Sequence, residues 1–253
     1  MADGKVLGMP ESQAASHQTL IVIPAWNEAA VIGATLDELH DLDPTMDVLV
    51  VDDGSTDATA DIARCASAIV LQLPFNLGVG GAMRTGFEYA HRFGYDQVIQ
   101  VDADSQHDPT DIPRILQALE TADIVIGARF AGVGTYTAGF ARRLAMKILA
   151  GVISGLAHTK LTDVTSGFRA ANRRAIEQYR NHYPAEYLGD TVDSLVMAIR
   201  SGLSVTQVPV EMRPRLAGTP STSPAKSAIY LARSLLALLI ALTRRSASRE
   251  KRD

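Results

Sequence analysis

Residues 19–57 read TLIVIPAWNEAAVIGATLDELHDLDPTMDVLVVDDGSTD. An apolar run, TLIVIP (19–24), leads through an amphipathic stretch from about Glu28 to Leu42 into a second apolar run, DVLVVD (47–52). Short runs of Val, Ile and Leu without alternation fit strands buried on both faces, and a helical stretch between two of them is the pattern of a parallel βαβ unit. The pattern continues with a helix from about Asp57 to Cys65, the strand AIVLQL (68–73) and a helix from about Gly80 to Phe93. The strand QVIQV (97–101), the helix DIPRILQALE (111–120) and the strand DIVIG (123–127) follow. The first 130 residues thus predict an α/β fold, a mostly parallel sheet flanked by helices. Ligands of such sheets bind outside the carboxyl ends of the strands, near a topological switch point.

Each predicted strand ends in a polar cluster: PAWNE (24–28), DDGSTD (52–57), PFNLGVGGA (74–82), QVDADSQHDP (100–109) and GAR (127–129). Singly these are ordinary turn and cap chemistry; together they occupy one edge of one sheet. In the fourth cluster Asp102 and Asp104 follow the strand at once, and Pro109 forbids its continuation as a central strand. Two carboxylates so close repel each other in low dielectric unless a cation lies between them. The alternative is an Asp-rich turn before a helix capped by Asp108 or Thr110.

Several chemistries are excluded. The position after the first strand holds PAWNEA where a dinucleotide fold needs G-x-G-x-x-G, and no Gly-Lys-Ser/Thr phosphate loop occurs. Cys65 is the only cysteine, so neither an internal disulfide nor a Cys-based zinc site is available. The six histidines show no close ligand spacing; His107 alone adjoins candidate chemistry.

The second half reads differently. TAGFARRLAMKILAGVISGLA (137–157) is a long helical pattern, DVTSGFRAANRRAIE (163–177) is polar, a helix runs around Asp190 to Arg200, and LSVTQVPVEM (203–212) is a late strand. RLAGTPSTSPAK (215–226) reads as a loop, and AIYLARSLLALLIALTRR (228–245) as a closing helix whose apolar run is too short to span a bilayer. That helix fits a core or homodimer contact, or an interfacial membrane helix. Residues 1–18 have no apolar signal region and predict a flexible tail; the expected domain is 19–225, with 226–253 as helix and basic tail. Of the net charge of −4, residues 211–253 carry nine Lys/Arg against three acids, a net +6, leaving −10 on the remainder. Such a tail suits a phosphate or a membrane surface; without interleaved aromatics it does not suggest nucleic acid.

The ordered set IPAWNE, VVDDGSTD, NLGVGGA, DADSQHDP, GAR and TSGFRA resembles a family-two glycosyltransferase of the GT-A fold, and most resembles the dolichyl- or polyprenyl-phosphate sugar synthases, over roughly Thr19 to Ser221. The resemblance implies that Asp102, Ala103 and Asp104 form the DxD motif, with Mg²⁺ or Mn²⁺ held by Asp102, Asp104 and Gln106 against the diphosphate of a UDP- or GDP-linked sugar. It places Pro24, Trp26 and Glu28 around the nucleotide, Asp53 and the Val51 backbone at the base, and Arg129 and Arg215 at phosphates. Ser166 and Arg169 fall on the acceptor side, where Arg169 would hold a dianionic nucleophile. Relatives often carry Arg-x-x-Gly-x-Ser-Lys where this chain has RLAGTPS; Arg215 and Gly218 match and the Lys does not, with Lys226 as its candidate replacement. Asp190 resembles the acidic motif that would deprotonate an acceptor, and also reads as a helix cap.

The resulting expectation is a metal-dependent, inverting transferase moving a hexose onto a polyprenyl phosphate, peripheral on the cytoplasmic membrane face. A transferase for a soluble small acceptor and a non-catalytic nucleotide-sugar-binding protein are its rivals. The sugar-nucleotidyltransferases are set aside because they require a Gly-rich loop after the first strand.

Overall fold

In the computed structural model the described residues are 19–129, 140–184 and 190–213. The expected tail, Arg215, Gly218, Lys226 and the closing helix lie outside them. The chain runs β1 (Thr19–Ala25), α1 (Ile32–Leu42), β2 (Asp47–Asp52), α2 (Thr59–Cys65), β3 (Ile69–Gln72), α3 (Gly78–Phe93) and β4 (Gln97–Gln100). A 3-10 turn (Pro109–Asp111) leads into α4 (Ile112–Ala118), β5 (Ile124–Arg129) and α5 (Phe140–Ala157). Then come β6 (Arg169–Asn172), α6 (Arg173–His182), α7 (Asp190–Arg200) and β7 (Val205–Val210).

The strands form one seven-stranded sheet in the order β3-β2-β1-β4-β6-β5-β7, with only β6 antiparallel to its neighbours. Leu20 to Ile23 of β1 are fully buried, and successive residues feed opposite faces of the sheet. Leu20 and Val22 join Leu49, Met83, Phe87, Leu149 and Ile176 on the face covered by α3, α5, α6 and α7. Ile21 and Ile23 join Val50, Ile32, Leu36, Ile99 and Ile112 on the face covered by α1 and α4. Gly86 lets α3 lie directly on β1, because a Cβ there would stand 2.6 Å from Val22 Cγ1. After β3 the chain crosses back through α3 to pair β4 with the other side of β1. The strand order therefore reverses between β1 and β4, and the carboxyl ends of both open into the same crevice. No helix among the described residues is long and apolar enough to cross a membrane.

The mostly parallel α/β fold is as expected, with one element added and several limits moved. Arg169–Asn172, within a stretch read as polar, is strand β6, its ladder completed by β4 on one side and β5 on the other. Two alanines give weak strand propensity, but a slot between two strands supplies every backbone partner, and Ala170 and Ala171 are buried there. Asn172 ends the strand and caps α6, its Oδ1 accepting from the Ala175 amide at 3.0 Å. Helix α1 starts at Ile32 rather than near Glu28, because Glu28 to Val31 form a turn in which the Glu28 carbonyl accepts from the Val31 and Ile32 amides.

At the opposite edge of the sheet Asp123 ties three strands together. Its carboxylate accepts from the Ser204 amide (2.7 Å) and hydroxyl (2.9 Å), from Asn172 Nδ2 (3.0 Å) and from Arg174 (3.1 Å). Burial pushes this carboxyl up, yet the Ser204, Asn172 and Arg174 donors outweigh it and hold the group below its usual range. Its stabilising effect is therefore full above the unfolded carboxylate value of about 4 and is lost as pH falls through that value towards the lower folded one. Asp123→Ala is expected to lower unfolding free energy by about 2–3 kcal/mol at pH 7. In urea titrations the gap to the parent chain should narrow below about pH 4.

Candidate active site

The loops after β1, β2 and β3 are stitched to one another before any ligand is considered. Asn27, at φ 55°, accepts the Thr56 amide on Oδ1 (2.8 Å), while its own amide donates to Ser55 Oγ (2.9 Å). The Glu28 amide donates to Thr59 Oγ1 (2.9 Å), and the Ala29 amide to Asp57 (3.2 Å). Asp52 accepts from the Ser55 amide and from Gln72 Nε2, each at 3.1 Å. Gly54, at φ 73°, brings the second loop against the third, where a Cβ would stand 2.8 Å from the Phe75 carbonyl carbon.

Asp53 is 3% exposed and accepts the Leu77 and Gly78 amides, both at 2.7 Å, so it meets the N-terminus of α3. This contact starts α3 at Gly78, two residues earlier than expected. Burial is the main reason the carboxyl sits above its ordinary range; the two amides pull the other way. Both oxygens thus already have partners, and the side chain expected at the base also positions a helix. Val51 is buried within the ladder between β1 and β3, and Pro24, its register partner, is half-buried. Glu28 is half-buried and Trp26 is 47% exposed, its ring on the sheet edge.

The loop after β4 is held from two sides. From α1, buried Thr35 donates to the Ala103 carbonyl (2.9 Å) and pairs with Ser105 Oγ (2.8 Å), fixing Ser105 at φ 58°. Sequence reading passed over Thr35, although a lone hydroxyl on the buried stripe Ile32, Leu36, Leu39 was a usable signal. From the other side, the Arg213 amide donates to the Gln106 carbonyl (2.9 Å), and its guanidinium lies between Glu38 (2.6 Å) and Asp108 (2.9 Å). Asp104 is 5% exposed and accepts the Gln106 amide (3.1 Å), whereas the Asp102 side chain is 38% exposed. Asp108 caps the 3-10 turn through the Thr110 amide, as the turn reading anticipated.

Two carboxylates, one open to solvent, and the side-chain amide of Gln106 are hard-oxygen donors of the kind that Mg²⁺ or Mn²⁺ takes. No group of three or more His, Cys, Asp or Glu suited to a metal occurs among the described residues. The protein would therefore supply only part of a coordination shell, leaving positions for a diphosphate and water.

The TSGFRA segment comes to the same place. A Cβ on Gly167 would lie 3.3 Å from both carboxylate oxygens of Asp102. Two arginines expected at phosphates have internal partners. Arg129 forks onto Asp163 (2.5 and 2.8 Å) and reaches Thr165 Oγ1 (2.9 Å). Burial raises the Asp163 carboxyl, but Arg129 more than offsets this and holds it below the usual range. Arg169 is 9% exposed and donates to the carbonyls of Ser166 (2.8 Å), Val164 (2.6 Å) and Thr191 (2.6 Å). A guanidinium so enclosed shapes the TSGFRA loop and ties it to α7. Ser166 is buried, its hydroxyl accepting from the Phe168 amide at 3.3 Å. Asp190 is the first residue of α7, a position compatible with either of its expected roles.

Asp163→Ala should strand Arg129 and cost about 2–3 kcal/mol of unfolding free energy. An unchanged urea midpoint would mean that the pair holds nothing in place.

The profile of Glycosyl transferase family 2 matches residues 20–180. The undecaprenyl-phosphate mannosyltransferase of Micrococcus luteus is 35% identical over 222 residues, covering 81% of this chain and 88% of that protein. The polyprenol monophosphomannose synthase of Mycolicibacterium smegmatis is 30% identical over 223 residues, covering 85% of this chain and 84% of that protein. Among solved structures, glucosyl-3-phosphoglycerate synthase from Mycobacterium tuberculosis, in complex with Mn²⁺, UDP and phosphoglyceric acid, superposes with a TM-score of 0.67 at 21% identity. That match covers 91% of this chain and 80% of the other, and at such identity it speaks for the fold. With its sheet, its strand-end motifs and these relatives in agreement, the chain belongs to glycosyl transferase family 2 and has the GT-A fold.

Proposed function

We propose that this protein transfers a hexose, with inversion, from a nucleotide-sugar to a polyprenyl phosphate at a membrane surface. The observation that carries the reading is the placement of Asp102 and Asp104 beside Gln106 at the crevice where the strand order reverses. A divalent cation bound there supplies charge neutralisation for the diphosphate as the nucleotide departs. Asp102, Asp104 and Gln106 would hold it, and the Ala103 backbone, pinned by Thr35, keeps the two carboxylates in register. Trp26 offers an apolar wall to base or ribose, with Pro24 and Glu28 beside it. Asp53 keeps the neighbouring loop and the start of α3 in place, and Arg215 meets the phosphates.

The acceptor is inferred from the two relatives, an undecaprenyl-phosphate mannosyltransferase in Micrococcus and a polyprenol monophosphomannose synthase in Mycolicibacterium. Exposed Trp26, Phe75 and Leu77 on the loops and Val79 in the first turn of α3, at the donor edge, fit work beside a lipid surface. A phosphate monoester has a second pKa near ~6 and reaches the site largely ionised, so little base catalysis is needed. Asp190 then orients the acceptor or caps α7, and Ser166, Arg129 and Arg169 shape the loop that receives it.

Calorimetric titration with UDP and GDP, each with Mn²⁺ and with EDTA, tests the donor half. One nucleotide is expected to bind in a metal-dependent manner, and Asp104→Ala should weaken that binding at least ~100-fold, about 3 kcal/mol. Metal-independent binding, or none, would reduce Asp102 and Asp104 to turn residues. Glycosyl transfer to undecaprenyl phosphate in detergent, measured beside 3-phosphoglycerate, tests the acceptor half; turnover of the soluble compound alone would overturn the lipid assignment.

A further inference from the structure

His107 follows the two aspartates and has no task in the scheme above. It is 2% exposed, and its ring stacks on Phe168 of the TSGFRA segment with centroids 4.5 Å apart and planes 10° from parallel. Its backbone bridges to Met212, in the segment that Arg213 anchors. The Asp102 amide donates to His107 Nδ1 at 3.0 Å, and Nε2 of the same ring lies 3.5 Å from Asp102 Oδ2. A ring nitrogen that accepts a hydrogen bond carries no proton, so this arrangement places the single ring hydrogen on Nε2, facing the carboxylate.

We infer that His107 is a positioning residue for Asp102, holding its backbone amide through Nδ1 and facing its carboxylate through Nε2. The inference rests on the metal-donor reading above. Asp102 is the more exposed of the two aspartates and would otherwise sample several rotamers. Two neighbours restrict it: Gln100 Nε2 donates to Oδ1 at 3.1 Å, and His107 faces Oδ2. Neither is a Lys or Arg, whose fixed charge would neutralise the one Asp102 must present to a cation. The stack on Phe168 also makes the geometry of Asp102 depend on the acceptor-side loop, so the two halves of the crevice are joined through one ring.

Two-bond ¹H–¹⁵N correlation spectra of the metal-free protein read the tautomer directly, with His107→Asn identifying the signal by its loss. The expected result is an unprotonated Nδ1 and a protonated Nε2; a proton on Nδ1 overturns the inference, whether or not any variant folds. Mn²⁺ affinity is then measured by calorimetry in the presence of whichever of UDP or GDP the parent binds. His107→Asn offers an acceptor near the place of Nδ1 but lacks the Nε2 donor, and should weaken Mn²⁺ about tenfold. His107→Phe keeps a stacking ring but lacks both polar contacts, and should approach ~100-fold. Saturating Mn²⁺ should restore the parent's nucleotide affinity in both, which a merely structural lesion would not allow. Folded variants that bind Mn²⁺ within twofold of the parent overturn the role of His107 alone. A parent chain that binds no Mn²⁺ with either nucleotide overturns the donor reading and this inference with it.

Discussion

Parallel strands can be joined only by crossovers that carry the chain back to the edge where the previous strand began, so their carboxyl ends necessarily share the opposite edge. Here β3, β2, β1 and β4 are joined in that way around a β1 that is buried on both faces. The rest of the molecule depends on this constraint. It brings Asn27 to Thr56, Gly54 to the Phe75 backbone and Asp53 to the start of α3. The crossing from β3 back to β4 opens the crevice beside β1 and places Asp102 and Asp104 at its lip.

Backbone amides and polar side chains gathered at one buried edge must find partners, and much of the polarity there is spent in this way. Asp52, Asp53 and Asp57 bind loop amides; Arg129 pairs with Asp163; Arg169 collects three carbonyls. What distinguishes Asp102 is that its carboxylate stays partly open, with Gln100 and His107 beside it and no Lys or Arg against it among the described residues. A carboxylate already paired with a cationic side chain has little left to offer a ligand.

Much of this was legible in the sequence. Apolar runs that do not alternate announced strands covered on both faces, and helical spacing between them announced the parallel connections. Polar clusters then had to fall at the strand ends, which located the polar edge of the sheet without reference to three dimensions. Strand β6 was not legible, because RAAN has neither apolar length nor β-branching and becomes a strand only through the slot between β4 and β5. Thr35 and Arg213 were missed for a related reason: their work on the loop after β4 is done from 68 and 105 residues away.

The sequence by itself determined the sheet, the edge that carries the chemistry and the residue types available there, since these follow from local periodicity and from the chain's need to bury apolar surface. Only the tertiary structure decided which charges remain available. Arg129, Arg169 and Asp53 look in sequence like ligand-binding groups, and each finds an internal partner distant along the chain: Asp163, the Thr191 carbonyl of α7, and the amides at the start of α3. Charge pairing acts over a few ångströms in space and is indifferent to separation along the chain, so it becomes visible only once the fold has brought the partners together.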